Sequence, residues 1–302
     1  MRKLATMDDI TDIATKIINE ADKSGITLRV MGAVAVALHL KDYYDLWQKL
    51  GRKLTDIDFV GYNKERKKIE NMLKSSFGYK ILESSLTPAL YMGRIIFWDP
   101  SEDALMMPSG KKPLNGDVFL DKLQMNHTIE WKGRLHVDSP TIPLAEVILQ
   151  KTQIVGGEKH LGLGDKDVKD TICLLLDHDI GDDDDDKINA KVIADTLSKD
   201  WGFYYTVTEN LKRLKDQWLL KYNLPQKDKE TIIARTDKLL DAIENKKKSF
   251  RWKMRARIGT SRKWYQTVEE VERMEQYCPS CGAEQELGID VCKNCGAKYE
   301  SR

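Results

Sequence analysis

Three aspartates are candidates for metal-assisted chemistry. Asp56 and Asp58 lie one residue apart in a segment predicted to form a strand, so both side chains project from one face, about 6.6 Å apart along the chain. Two carboxylates placed in this way can both reach a pair of Mg²⁺ ions roughly 3.5 to 4 Å apart. Asp117, on a later predicted strand, could complete the metal site or accept the proton of an attacking hydroxyl. Asp121 lies on the same face of that strand, and the residues alone leave both candidates open.

The alternative interpretation is that Asp56 and Asp58 lie on an edge strand with both side chains in water. An upstream turn, Met31-Gly32-Ala33, favours the interpretation as a metal and phosphate site. Glycine lets the backbone approach a ligand closely, and the exposed N–H groups at the start of a helix favour phosphate. A single glycine at a turn is common, so this turn gains significance only together with the acids.

Four of the five cysteines have the spacing of a zinc site, C-x2-C-x10-C-x2-C, formed by Cys278, Cys281, Cys292 and Cys295. Four thiolates on two tight turns predict one closed, tetrahedral, structural Zn²⁺ without an open position for catalysis. The segment resembles a short zinc ribbon of the CPxCGA and CxxCGA kind, which implies a metal-folded module and no reaction. Cys173 lies alone in an apolar run and is predicted to be a small buried side chain.

The net charge of +1 conceals a strongly cationic segment. Residues 246–263 contain nine Lys or Arg and no acid, and Phe250, Trp252, Trp264 and Tyr265 lie among or just after these cations. Cations bind phosphates, and aromatic rings offer stacking faces for unpaired bases. We therefore expect this segment to contact nucleic acid. A solvated charged linker is the alternative.

The composition excludes several classes of protein. With 302 residues and 41% hydrophobic side chains, the chain can form a sizeable core, which excludes disordered, collagenous and disulfide-scaffold proteins. No apolar run approaches the roughly 20 residues of a membrane span, and the N-terminus carries acids where a signal peptide would be apolar. We expect a cytoplasmic protein without a membrane partner. The acidic run of residues 182–186 lacks the spacing of a calcium loop and predicts a solvated interhelical loop.

The elements that must position these residues predict an α+β fold. Hydrophobic periodicity predicts helix, strand, helix, strand, helix and then further strands, which gives a mixed sheet with flanking helices. After Pro143 the pattern is helical throughout. The predicted organisation is a sheet domain over residues 1–142, a helical domain over 143–245, a basic arm over 246–277 and the zinc ribbon over 278–302.

The order of these motifs resembles the nucleotidyltransferase superfamily of the polymerase β kind. Gly32-Ala33, Asp56-x-Asp58 and Asp117 match its patterns hG[GS], Dh[DE]h and a later hDh. Within the superfamily, the match is best to the abortive-infection, AbiEii-like nucleotidyltransferases. The resemblance covers roughly residues 25 to 178, and the order of the motifs is more specific than any one of them.

Three further segments are similar to motifs of that family: Arg52-Lys53-Leu54-Thr55, Leu149-Gln150-Lys151 and Lys166-Asp167-Val168-Lys169-Asp170. The sequence departs from the family at Ala33, where a Gly or Ser is usual. The spacing of 24 positions between Gly32 and Asp56 is also long for the family pattern. The insert KDYYDLWQKLG, residues 41–51, is expected to lengthen a helix or add a loop beside the site. Neither departure removes a carboxylate.

The resemblance implies a transfer of NMP from an NTP to an acceptor hydroxyl. Asp56 and Asp58 would hold two Mg²⁺ ions with Asp117, and Gly32 and Ala33 would donate N–H groups to phosphate. The implied acceptor is RNA such as tRNA, bound through residues 246–265 and the zinc ribbon, as in toxins that modify tRNA ends, with an antitoxin as a further partner. The alternatives are a small-molecule or protein acceptor, or a non-catalytic nucleic-acid-binding protein.

The remaining charged and titratable residues have less specific expectations. Arg52, Thr55 and Lys151 would help to bind the nucleotide, although a solvated helix lysine is an equal alternative for Lys151. For Arg52, Lys166 and Asp170 the alternative is a helix-surface charge without a specific role. His127 and His136 could carry protons, but ordinary structural histidines are expected.

Overall fold

The computed structural model of the protein describes residues 3–82, 93–108, 113–155 and 163–267, with short pieces at 276–277, 284–285, 291 and 294–296. Of the predicted zinc ligands, Cys278, Cys281 and Cys292 lie outside the described residues, whereas Cys295 is described and exposed. The zinc ribbon and the domain boundaries therefore stay predictions. Within the described ranges, every helix is too short or too polar to serve as a membrane span.

A five-stranded mixed sheet forms the centre of the N-terminal part. Its strands are β1 Leu28–Met31, β2 Ile57–Gly61, β3 Lys80–Ile81, β4 Arg94–Trp98 and β5 Asn115–Leu120. They lie in the order β1-β2-β5-β4-β3, and only the central pair, β2 with β5, is parallel. The α+β prediction with a mixed sheet is confirmed. Short pairs add β6 Lys122–Gln124 with β7 Thr128–Glu130, and β8 Ile180–Gly181 with β9 Ile188–Asn189.

Helices surround this sheet and make up most of the chain after Pro143. The described helices are α1 Met7–Lys23, α2 Gly32–His39, α3 Tyr44–Lys49, α4 Arg66–Phe77, α5 Leu144–Thr152, α6 Asp165–Asp177, α7 Ala190–Leu197, α8 Trp201–Arg213, α9 Gln226–Asn245 and α10 Phe250–Ile258. The first helix of the predicted order is α1, which Thr6 and Asp9 begin with a reciprocal capping box. Helices α3 and α10 are additions to the prediction.

Helix α5 connects the sheet to the helices that follow it. All nine of its residues are buried, and it packs against α2 on one side and against α6, α7 and α8 on the others. A helix that is buried on all sides places even its polar side chains inside the protein, where each needs a partner. Consequently Gln150 and Lys151 are interior residues.

The acidic run of residues 182–186 lies between α6 and α7 with four of its five aspartates exposed, as predicted, and it also forms ion pairs. It lies between β8 and β9, and Arg134 joins it by an ion pair of 2.7 Å to Asp184. Asp186 pairs with Lys41 at 2.6 Å and with His178 at 3.2 Å. A run of acids in the sequence does not reveal the cations that tertiary packing brings to it. These pairs tie the loop to the sheet region.

Candidate active site

Asp58 and Asp117 are direct neighbours at the centre of the sheet. They occupy matching positions in the parallel pair of β2 and β5, so their side chains project from the same face. Asp56 immediately precedes β2 and is exposed, whereas Asp58 and Asp117 are partly buried. The topology thus brings all three predicted acids to one place, although 61 residues separate Asp56 from Asp117.

The structure separates Asp117 from Asp121. Asp121 follows β5, adopts a left-handed φ of 62°, and accepts a hydrogen bond from the backbone N–H of Asn63 at 3.0 Å. It therefore supports the turn that leads into α4 and does not share the position of Asp117 beside Asp58. Of the two candidates for the third carboxylate, the geometry favours Asp117.

The turn at Gly32 approaches the acids closely. Gly32 has a φ of 71°, and a Cβ atom added there would lie 2.7 Å from the Oδ2 atom of Asp58. Both the backbone conformation and the contact therefore require glycine. The N–H of Gly32 donates to the Oε1 atom of Gln150 at 3.1 Å, whereas Ala33 lies in the first turn of α2, where no side chain caps the helix. The amide of Gly32 would have to leave Gln150 to reach a phosphate.

The acids repel one another in the absence of a cation. Burial, together with the charges of Asp56 and Asp117, raises the pKa of Asp58 well above its ordinary value. Lys151 and Arg94 act in the opposite direction, and Arg94 lies 3.9 Å from the Oδ2 atom of Asp117. Two cations at the edge of the site therefore offset only part of its negative charge.

The donor set fits a hard divalent cation, because Mg²⁺ prefers carboxylate oxygens. In the part of the chain that the structure describes, however, no three or more His, Cys, Asp or Glu side chains form a gathered metal-ligand cluster. The sheet sets the backbone positions of Asp56, Asp58 and Asp117, and their side chains would have to turn towards a shared ion. The hydroxyl of Thr55, which donates to the Oδ1 atom of Asp56 at 2.9 Å, holds one of them in its present orientation.

A second polar cluster, centred on Asp170, is buried beside the acids. Asp170 is fully buried on α6, and its Oδ1 atom accepts hydrogen bonds from Trp47 Nε1 at 2.7 Å and Arg52 Nε at 2.6 Å. Its Oδ2 atom accepts from Arg52 Nη2 at 3.0 Å and lies 2.8 Å from Lys151 Nζ. Asp167, one turn earlier, is 3.6 Å from the same Nζ atom. We call these five residues the Asp170 cluster.

The Asp170 cluster corrects two expectations from the sequence. Lys151 is interior, and Arg52 and Asp170 form a buried ion pair instead of surface charges. Burial opposes ionisation of Asp170, yet Lys151 and Arg52 outweigh it and hold the pKa of Asp170 below its ordinary value. Burial likewise opposes the charge of Lys151, yet Asp170 and Asp167 raise its pKa. The shifts of Asp170 and Lys151 both favour the charged pair, whereas burial raises the pKa of Asp167.

The other predicted candidates lie outside both clusters. Lys166 is exposed, and His136 is exposed beside the ring of Tyr62. His127 is buried, stacks on Phe203 and lies 2.8 Å from the hydroxyl of Thr206. These surroundings identify His127 as a structural histidine. Cys173 is also buried, as expected, and burial raises the pKa of its thiol to about 12.

His127 is expected to make folding sensitive to mild acid. Burial lowers its pKa to about 4 from 6.5, so the unfolded chain takes up a proton between these values that the folded protein excludes. The free energy of unfolding should therefore fall by up to about 3 kcal/mol as the pH decreases from 6.5 to 4. His127→Gln, which cannot be protonated, should reduce this decrease in urea unfolding at a series of pH values. Equal pH dependence in both proteins would contradict this role.

Two functional candidates were missed by sequence reasoning. Trp47 lies in the insert that departs from the family pattern, and an apolar residue in an insert carries no chemical signal. Arg94 opens β4 beside Asp117 and packs its guanidinium over the ring of Phe119 at 4.2 Å. Only the pairing of β4 with β5 reveals this position, because Arg94 and Asp117 are 23 positions apart in the chain.

The described residues 246–267 of the basic arm pack against α8, so this part is not a free linker. Trp252 contacts the edge of Tyr204, and the indole N–H of Trp264 donates to the hydroxyl of Thr206 at 3.1 Å. The backbone of Gln266 also pairs with Asn126. Both tryptophans are partly buried and anchor the arm. Phe250 is 79% exposed.

Comparisons with known proteins do not assign a function, so the proposed function rests on the geometry of the site. No protein-family model matches the chain, and no curated protein matches it. Among solved structures, it is similar to the crystal structure of an antigenic nucleotidyltransferase-like protein from Paracoccidioides brasiliensis, with 16% sequence identity and a TM-score of 0.36. The alignment covers 80% of this chain and 95% of that chain.

Proposed function

We propose that the protein is a metal-dependent nucleotidyltransferase, which transfers NMP from an NTP to an acceptor hydroxyl. The observation that carries the proposal is the register of the sheet, which places Asp58 beside Asp117. Asp56 lies two residues before Asp58, just ahead of β2. A glycine turn whose missing Cβ atom would contact Asp58 supports it. Carboxylates concentrated beside a turn that can admit phosphate suit a reaction whose catalysis is positioning and charge neutralisation.

Asp56, Asp58 and Asp117 would hold two Mg²⁺ ions, which when bound would neutralise the triphosphate and favour ionisation of the acceptor hydroxyl. Asp117 would also orient that hydroxyl and accept its proton. The first turn of α2, from Ala33 onward, would donate N–H groups to the phosphates. The oxygen of the acceptor hydroxyl would form a bond to the α-phosphorus of the NTP. The bond between the α-phosphorus and the oxygen that bridges it to the β-phosphorus would break, and pyrophosphate would leave.

An incubation with each labelled NTP, Mg²⁺ and a cell lysate tests the reaction and identifies the acceptor. We expect the α-phosphate label in RNA, in preference to the protein or small-molecule fractions. The double variant Asp56→Ala with Asp58→Ala should give no labelled acceptor in any fraction. Equal labelling by the variant and the wild-type protein would overturn the proposal, and label in another fraction would replace RNA as the acceptor.

We propose RNA as the acceptor because of the exposed face of α10. Arg251, Lys253 and Arg257 are exposed there, and residues 246–263 contain no acid that would compete for them. Phe250, at the N-terminus of the helix, offers an open ring to an unpaired base. A tRNA end and an antitoxin partner are finer proposals that follow from the family resemblance alone.

The triple variant Arg251→Ala, Lys253→Ala, Arg257→Ala is expected to weaken RNA binding. Each lost phosphate contact should lower the slope of log K against log salt by about 0.7 for a single strand, roughly 2 for all three. Fluorescence anisotropy with a labelled single-stranded RNA over a salt series measures this slope. The matched control replaces Lys67, Lys68 and Lys74, which are exposed on α4. Equal slopes in both triple variants would exclude α10 as the RNA surface.

We also propose that Cys278, Cys281, Cys292 and Cys295 bind one structural Zn²⁺. Metal analysis of the purified protein should find one zinc per chain, and Cys281→Ser should lose it because three thiolates no longer close the site. Cys173→Ala is the matched control, since Cys173 is buried on α6. Retention of zinc by Cys281→Ser, or its loss from Cys173→Ala, would contradict this ligand set.

A further inference from the structure

The insert that departs from the family pattern contributes Trp47 to the Asp170 cluster. Helix α3 lies within this insert and packs against α6. Trp47 is fully buried, and it stacks on Tyr44 with ring centroids 5.8 Å apart. Its indole N–H donates to the same oxygen of Asp170 that accepts the Nε–H of Arg52. The insert therefore supplies a hydrogen-bond donor to the buried carboxylate of Asp170.

The hydrogen bonds and ion pairs of Asp170 connect Trp47 with the candidate catalytic acids in two ways. On one side, Arg52 is bound by Asp170 and precedes Asp56 by four residues. On the other side, Asp170 binds Lys151 on α5, and its neighbour Gln150 accepts the N–H of Gly32, whose turn touches Asp58. Fixing the carboxylate of Asp170 thus fixes residues on both sides of the candidate active site.

Two hydrogen-bond donors on the Oδ1 atom of Asp170 determine the orientation of its carboxylate. With Trp47 and the Nε–H of Arg52 bound to Oδ1, the other oxygen is left to the second arm of Arg52 and to Lys151. Without the indole N–H, the carboxylate could rotate about its Cβ–Cγ bond, because terminal torsions of this kind are broad. Arg52 also lies over the ring of Trp47, at 5.3 Å from the centroid, so the indole restrains both partners.

We propose that Trp47 is a positioning residue, which fixes Asp170 and through it holds Lys151 beside the catalytic acids. The inference rests on the proposed nucleotidyl transfer for its kinetic consequence but not for its structural one. A hydrogen bond to a charged group contributes enough for its loss to change an equilibrium by about tenfold or more. The amine of Lys151 should become more mobile and more accessible when the indole N–H is removed.

The test compares two full-length variants that lose the same atoms. Trp47→Phe removes a bonded indole N–H, whereas Trp131→Phe removes one that has no hydrogen-bond partner among the described residues. Both tryptophans are fully buried, so the loss of packing is similar. The first readout is the rate at which an amine-reactive reagent modifies Lys151, measured by peptide mass spectrometry with the exposed Lys68 as the internal reference.

We expect about tenfold faster modification of Lys151 in Trp47→Phe and an unchanged rate in Trp131→Phe. The second readout is the KM for NTP, which Trp47→Phe should raise about tenfold with a smaller change in kcat. Equal labelling rates of Lys151 in the two variants would overturn the inference. If the wild-type protein transfers no nucleotide, the proposed function has failed, and the labelling rates still decide the role of Trp47.

Discussion

Asp58→Asn is expected to lower nucleotide transfer by roughly 10³-fold or more, because it removes a central carboxylate without changing the shape of the side chain. The same change should stabilise the metal-free protein. Asp58 is partly buried between Asp56 and Asp117, and loss of its charge relieves repulsion within the site. A residue whose removal increases stability and abolishes activity is one retained for function.

Initial rates of transfer and thermal unfolding midpoints, each with and without Mg²⁺, measure both effects. Mg²⁺ should raise the midpoint of the wild-type protein, because it binds the folded state, and should have little effect on Asp58→Asn. Asp121→Asn is the matched control, since asparagine tolerates the left-handed backbone there and can still accept from Asn63. Transfer by Asp58→Asn within tenfold of the wild-type rate would exclude a catalytic role for this acid.

Asp170→Ala is expected to cost about 3 to 5 kcal/mol of the free energy of unfolding, since it leaves two buried cations without their shared anion. Arg52 is 10% exposed and Lys151 is 8% exposed, so water cannot replace the carboxylate. The indole N–H of Trp47 loses its acceptor as well. Few single changes in this molecule would leave so many buried polar groups unsatisfied.

Asp165→Ala is the control on the same helix. Its side chain is 69% exposed, forms an i,i+4 pair with Lys169 and accepts a hydrogen bond from the hydroxyl of Tyr222 at 2.6 Å. Exposed pairs of this kind contribute at most about 1 kcal/mol each. Urea unfolding of both variants gives the comparison. If Asp170→Ala were no less stable than Asp165→Ala, the buried ion pairs of the Asp170 cluster would not contribute to folding, and the positioning role of Trp47 would lose its basis.

The sheet and its acids could be predicted because strand alternation and the order of elements are local properties of the sequence. The register that separates Asp117 from Asp121 could not. Asp121 leaves the strand through a left-handed backbone conformation, which its residue type permits but does not require. The pairing of β2 with β5 is also a contact between residues far apart in the chain.

The Asp170 cluster was missed for a different reason. Lys151 and Asp170 occur in helical segments, where charges usually face water, and nothing local indicates that α5 is buried on all sides. The basic arm shows the converse, because its sequence does not reveal that Trp252 and Trp264 pack against α8. In both cases the decisive partner lies on another helix, so only tertiary packing distinguishes an interior residue from a surface one.

The position of the label within the nucleotide tests the central claim most directly. The wild-type protein should be incubated with Mg²⁺, total RNA and the same NTP labelled either at the α-phosphate or at the γ-phosphate. Nucleotidyl transfer predicts that the α-label enters the acceptor and that the γ-label appears in pyrophosphate, with neither transferred by Asp58→Asn. Entry of the γ-label into the acceptor, or equal incorporation of the α-label by Asp58→Asn, would contradict the account.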